Sequence, residues 1–214
     1  MSARVLSVNV GRGFDANWAG RLKRTAIDKR PVPGRAAVDR LGLIGDQQVD
    51  RQHHGGLDKA VYSYAREDLD WWAGQLGRQL RDGHFGENLT TTGIDVNAAV
   101  IGEHWQVGSA LLEVSRPRIP CVVFQNWLGE NGWIKRFTAA TRPGPYLRVL
   151  QGGELGAGDS IDVVYQPEHG FTIEEAFRAK TGERELASRV LDIPDLPPSW
   201  HEWARKVIDS NASV

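Results

Sequence analysis

From Gly45 to Tyr64 the chain reads GDQQVDRQHHGGLDKAVYSY: about a dozen mostly polar positions followed by an abrupt switch to apolar alternation. A segment that builds a core repeats its apolar residues every two or 3.6 positions. This one instead sets acids, imidazoles, a glycine pair and a lysine immediately before an apolar run. It therefore reads as a loop that carries a site and feeds a strand. Any fold proposed for the chain must place that loop at the end of a sheet.

The remainder supplies many short elements. Arg4 to Val10 alternates apolar and polar residues and stops at Gly11-Arg12-Gly13, the pattern of a first strand. Thr25 to Lys29 reads as a short strand broken by Pro31, Pro33 and Gly34, and Ala36 to Leu43 holds another apolar segment. Ala60 to Tyr64 is a strand passing into a helix from Arg66 to Leu76, on which Leu69, Trp72, Ala73 and Leu76 share one stripe. The Trp71-Trp72 pair belongs to the core rather than to a cofactor box. His104 to Val107 and Ala110 to Val114, separated by Gly108-Ser109, form a hairpin, while Val122 to Leu128 and Trp133 to Ala140 are short helices. Tyr146 to Leu150 and Ser160 to Tyr165 alternate again, with Gly152, Gly153, Gly156 and Gly158 turning the chain between them. Short strands, glycine-rich turns and brief helices predict a mainly β fold with α, a barrel-like or sandwich sheet decorated with helices rather than a doubly wound parallel sheet.

After Tyr165 the period becomes helical. Thr172 followed by Glu174 and Glu175 marks a helix start and Gly182 its end; Glu185 to Leu191 is a second helix, stopped by Pro194. Trp200 to Ile208 is a third, with Ser199 as its cap. The boundary falls near Gln166-Pro167, giving a sheet domain over 1–166 and a three-helix extension over 167–214. Helices this short need a surface to lie on. Ile173, Phe177, Leu186, Val190, Leu191, Trp200, Trp203 and Val207 are expected to pack against the sheet domain or a second copy of the chain, as in a homodimer.

Charge narrows the partners. With 26 basic and 27 acidic residues there is no overall field toward nucleic acid or an anionic membrane, so an anionic ligand must be held by a local cluster. No apolar run approaches the roughly 20 residues that span a bilayer. A single cysteine cannot staple the fold, and Met1 to Leu6 lacks a signal peptide's apolar run; both point to the cytoplasm.

That cysteine, Cys121, ends Ser115-Arg116-Pro117-Arg118-Ile119-Pro120-Cys121. It either fills the core or, if Arg116 or Arg118 points at the sulfur, is held as the thiolate that binds metals and attacks electrophiles. His54-Gly55-Gly56 with Lys59 is either an anion cradle, with backbone N–H groups approaching an oxyanion, or a tight turn. His53 and His54 are adjacent and point apart on an extended chain, which argues against a shared metal ion. Asp46 and Asp50 are ligands or turn acids bonded to backbone. In Gly86-Glu87-Asn88, Asn88 offers both a donor and an acceptor, and Glu87 faces a ligand or forms a structural ion pair. His84, His104, His169 and His201 lack partners at metal-ligand spacing. There is no dinucleotide fingerprint, phosphate loop or nucleophile elbow.

Three separated segments in order, the Gly45 to Tyr64 stretch, Phe85-Gly86-Glu87-Asn88-Leu89, and Ser115 to Cys121, resemble the MOSC family (molybdenum cofactor sulfurase C-terminal domain) in its YiiM-like branch. The helical tail resembles that branch's C-terminal extension. The resemblance implies a MOSC-type β-barrel with peripheral helices that binds the molybdenum cofactor, a molybdopterin. Cys121 corresponds to the cysteine that ligates the metal. His54, Lys59 and Arg118, with Gly55 and Gly56, would hold the pterin phosphate or lie near the metal, and Asn88 would contact pterin or substrate. It also implies reduction of small N-hydroxylated compounds (hydroxylaminopurines, amidoximes, hydroxylamines) to amines or amidines, with a separate reductase supplying electrons. The alternatives are a sulfur carrier with a Cys121 persulfide and a noncatalytic anion-binding module.

Overall fold

The computed structural model describes residues 2–50 and 55–210. In chain order the strands are β1 (Arg4–Gly11), β2 (Phe14–Asp15), β3 (Arg24–Thr25), β4 (Lys29–Pro31), β5 (Arg35–Asp39), β6 (Gly42–Leu43), β7 (Val61–Ala65), β8 (Leu89–Thr92), β9 (His104–Val107), β10 (Ala110–Pro117), β11 (Pro145–Gln151), β12 (Gly153–Gly156) and β13 (Ile161–Tyr165). The helices are α1 (Arg66–Leu76), α2 (Val122–Leu128), α3 (Trp133–Ala140), α4 (Ile173–Thr181), α5 (Glu185–Leu191) and α6 (Pro198–Asp209).

Eight strands make one sheet in the order β13-β9-β10-β11-β7-β8-β1-β4, antiparallel except for the β7–β8 pair. The protein is thus a mixed sheet-and-helix fold, but the ladder does not close into the expected barrel. β1 is already flanked by β8 and β4, and only its first residues reach the other edge of the sheet. There a single bridge joins Arg4 to Ser160, supported by Val5 N to Asp159 O at 2.9 Å and Gly158 N to Val5 O at 2.8 Å. Smaller sheets, β12-β5-β6 and β2-β3, flank the large one.

Local chemistry explains most element boundaries. The β9–β10 hairpin turns at Gly108, at φ +57°, where a Cβ would sit 2.4 Å from Glu154 O. Only glycine fits there. Thr172 opens α4 with a complete capping box: its hydroxyl accepts from Glu175 N, and Glu175 accepts from Thr172 N. Three expectations change. Thr25 to Lys29 is not one strand, since β3 pairs with β2 while Lys29 to Pro31 pairs with β1; Pro31 is tolerated because β4 is an outer strand. The glycine-rich segment after Leu150 contains β12, paired with β5. Finally, α6 starts at Pro198 rather than being capped by Ser199, as proline's fixed φ suits the first helical position and sacrifices no bonded N–H.

Two apolar clusters hold the elements. One joins Val5, Val61, Leu89, Trp105, Leu112, Val114 and Leu147 of the sheet to Phe171, Ile173, Ala176, Ala187, Val190, Trp200 and Ala204 of the tail. The other gathers Tyr64, Trp72, Phe85, Phe124, Trp133 and Phe137 around α1, α2 and α3, and includes Phe177 of α4. Trp72 and Phe137 stack at 6.0 Å, whereas Trp71 stays 38% exposed, so only one of the tryptophan pair is core. Each fully buried large side chain contributes about 1.5–3 kcal/mol. The tail therefore packs directly on the sheet and on the helices that frame the site. Within it Leu191 points outward, and Ala176, Ala187 and Ala204 take up close-packed positions instead.

Candidate active site

β10 ends at Pro117, and Pro120 cannot donate to a ladder, so the chain leaves the sheet and turns into α2. Cys121 occupies the N-cap of that helix in extended conformation, φ −133° and ψ 169°. Its thiol is free, half-buried, and lines a cavity of about 610 Å³. Asp46 to Asp50, Lys59, the start of β4, the turn before β8 and the segment around Gly20 make the other walls.

Arg118, buried in the same wall, is held from three sides. Its Nη1 donates to Phe85 O, and its guanidinium lies 4.2 Å from the Phe124 ring centroid and 4.8 Å from that of Tyr62. Its buried Nε has no partner. Burial opposes the charge, yet Tyr62, Tyr146 and Cys121 together outweigh it and keep Arg118 above the usual arginine value. Arg118 is thus a permanent cation lining the same cavity as the sulfur, which Arg116 does not line. Arg116 pairs with Asp58, which also takes Arg148 at 2.6 Å.

The polar loop does more structural work than its sequence suggests. Asp46 Oδ1 accepts from Gly11 N at 2.7 Å, and its two oxygens accept from Lys29 Nζ at 2.6 and 2.5 Å. Asn88 Nδ2 donates to Asp46 Oδ2 at 3.0 Å and to Asn9 O at 3.2 Å, and Asn88 Oδ1 accepts from Tyr62 N at 3.1 Å. Both amide hydrogens are therefore spent on the protein, one Oδ1 lone pair remains, and Asn88 lines the cavity. Burial pulls Lys29 below the usual lysine range despite Asp46. Glu87 forms no ion pair among the described residues. It is buried under the turn before β8, accepting from Gly83 N at 2.5 Å, Phe85 N at 2.9 Å and Thr90 Oγ1 at 3.1 Å, and burial pushes it up to about 7.

Gly56 adopts φ +88° and opens a single 3-10 turn, Leu57–Lys59, closed by Lys59 N to Gly56 O at 3.0 Å. Gly55 precedes it, half-buried. Lys59 lines the cavity and is held below the usual lysine range by burial and by Arg116, with Asp50 and Asp58 opposing. His54 and its neighbour His53 lie outside the described residues. The structure thus brings Cys121, Arg118, Lys59 and Asn88 to one cavity. Asp46 and Asp50, read as ligands or turn acids, line it too, and Asp46 is indeed bonded to backbone at Gly11 N; the structure adds Lys29, Tyr62 and Tyr146, for which no sequence pattern indicated a site role.

Chemically the cavity has two characters. A soft sulfur donor and five basic side chains, Arg21, Arg24, Lys29, Lys59 and Arg118, line it, and Ala19, Leu22, Ile27, Val122 and Val123 make an apolar flank. An anion with an attached soft metal fits the thiol and the basic side chains.

A concave cavity lined by a half-buried thiol and several basic side chains has the make-up of a small-molecule or cofactor site. The MOSC domain family model matches residues 50–162, and the chain belongs to that family. Protein YiiM of Escherichia coli is 39% identical over 157 residues, covering 72% of this chain and 70% of that protein. A Gibberella moniliformis protein named "Reductase" is 29% identical over 197 residues, 89% of this chain but 35% of its own length. The crystal structure of YiiM from Geobacillus stearothermophilus superposes with a TM-score of 0.79 at 28% identity, over 96% of this chain and 98% of that one. No helix among the described residues is long and apolar enough to cross a membrane.

Proposed function

We propose that this MOSC protein binds the molybdenum cofactor in the Cys121 cavity and reduces N-hydroxylated compounds to amines or amidines. The supporting observation is the convergence of a free thiol with a buried arginine whose Nε has no partner. A single protein sulfur suits a metal that brings most of its ligands with it, as molybdenum does in a pterin dithiolene. Bound there, the cofactor supplies the two-electron redox chemistry, and the protein supplies binding, orientation and electrostatics. Cys121 would supply the sulfur ligand to the metal. Lys29, Lys59 and Arg118 would meet the pterin phosphate, as would Gly55 and Gly56 and, by the family resemblance, His54, and Asn88 would offer its spare lone pair. The apolar flank would exclude water from one side of the substrate and orient its N–OH group inward.

Production in a cofactor-synthesising host, followed by metal analysis and turnover of an amidoxime with reduced methyl viologen, tests this reading. Molybdenum near one per chain together with amidine formation is expected. A metal-free protein carrying an extra sulfur atom on Cys121 by mass would favour the sulfur-carrier reading instead.

A further inference from the structure

Conversion of N–OH to N–H and water consumes two electrons and two protons, so the function proposed above requires a reductant, and the inference drawn here rests on that function. Residues 12–24 form a flap beside the cavity: β2 pairs with β3, and Ala16 N donates to Lys23 O at 2.9 Å. In a chain of net charge −1, this flap carries Arg12, Arg21, Lys23 and Arg24 against one carboxylate, Asp15. Arg24 pairs with Asp15 at 2.6 Å. Arg12, Arg21 and Lys23 are all exposed, and no described carboxylate forms an ion pair with them.

The flap is fastened to the helix that Cys121 begins. Asn126 Nδ2 donates to Trp18 O at 2.9 Å, and the rings of Phe14, Trp18 and Trp127 lie 6.1 to 6.4 Å apart, all half-buried. Leu22 and Val122, at the cavity mouth, are 47% and 54% exposed. Aromatic and aliphatic groups ringed by arginines have the make-up of a protein-binding surface rather than of an ordinary solvated face. Arg21 and Arg24 line the cavity whereas Arg12 and Lys23 do not, so the cations extend along the flap beyond the cavity. One small phosphate inside the cavity could not engage them all, whereas an extended acidic surface could.

We propose that the flap of residues 12–24, with the Phe14, Trp18 and Trp127 rings beside it, docks a small acidic electron-carrier protein, which thereby delivers electrons next to Cys121. Opposite charge on the two surfaces would speed encounter, and the half-buried rings with the exposed Leu22 and Val122 would desolvate on contact.

The test uses molybdenum-loaded protein, reduced flavodoxin as the acidic donor and reduced methyl viologen as the small one. Arg12→Glu with Lys23→Glu should lower kcat/KM for flavodoxin about tenfold or more and flatten its dependence on ionic strength, with viologen-driven turnover unchanged. Equal flavodoxin rates in wild type and variant, or no flavodoxin-driven turnover while viologen supports it, would overturn the docking inference alone. A raised KM for a phosphorylated substrate, with flavodoxin kinetics unchanged, would assign the cations to substrate and overturn it too. Absence of turnover with either donor in loaded protein would remove the reductase reading and this inference with it.

Discussion

Lys29 donates through Nζ to both carboxylate oxygens of Asp46, at 2.6 and 2.5 Å, with side chains only 10% and 3% exposed. The pair ties β4 to the loop before β7 and forms part of the cavity wall. Breaking it from one side leaves a buried cation uncompensated, which costs about 3–5 kcal/mol. Asp46→Asn should therefore lose about that much stability in urea denaturation, and adding Lys29→Met should recover part of the loss. A single Asp46→Asn variant as stable as wild type would show that the pair is not formed in solution.

Glu87 makes stability depend on pH in a defined direction. Its carboxyl is raised from 4.5 to about 7, chiefly by burial, so between those values the folded protein binds a proton that the unfolded chain has released. The resulting stabilisation is full below pH 4.5 and is lost as pH rises through about 7, on the order of 3 kcal/mol in all. Unfolding free energies from pH 4.5 to 8 should fall more steeply for wild type than for Glu87→Gln, whatever the offset between them. Parallel curves would place the titration elsewhere.

What could be read along the chain was what neighbours in sequence determine. The alternation of Arg4 to Val10, the Gly108-Ser109 hairpin and the Thr172 cap each depend on a few adjacent residues, and all appear in the structure. The cavity depends on distant ones. Nothing near Lys29 marks it as the partner of Asp46, 17 positions away, and nothing near Arg116 and Arg118 says which lines the cavity. That choice is made by β10 ending at Pro117: Arg116, still in the strand, meets Asp58, while Arg118 lies beyond it and turns under Phe124. β12 stayed hidden because four glycines near it read as turns, and its partner β5 lies over a hundred residues upstream. The open sheet likewise reflects how far β1 reaches toward Ser160, which periodicity cannot express.

The tail should prove inseparable from the sheet. Phe177 is fully buried, 6.2 Å from Phe137 in edge-to-face contact, and Phe171, Ile173 and Ala176 join the sheet's own cluster. Phe177→Ala is expected to cost about 3–5 kcal/mol, and removal of residues 167–214 to give aggregating protein. A truncated chain that stays soluble and binds no hydrophobic dye would mean that the sheet completes its core alone.

The central claim is that Cys121 holds molybdenum, and the most direct measurement is the metal content of wild type and Cys121→Ser purified in parallel from a cofactor-producing host. Serine nearly preserves the volume but replaces a soft thiolate with a harder oxygen, so the fold should survive while the metal is lost. The account predicts close to one molybdenum per wild-type chain and almost none in the variant, with matching circular dichroism spectra. Equal molybdenum in the two proteins would contradict it.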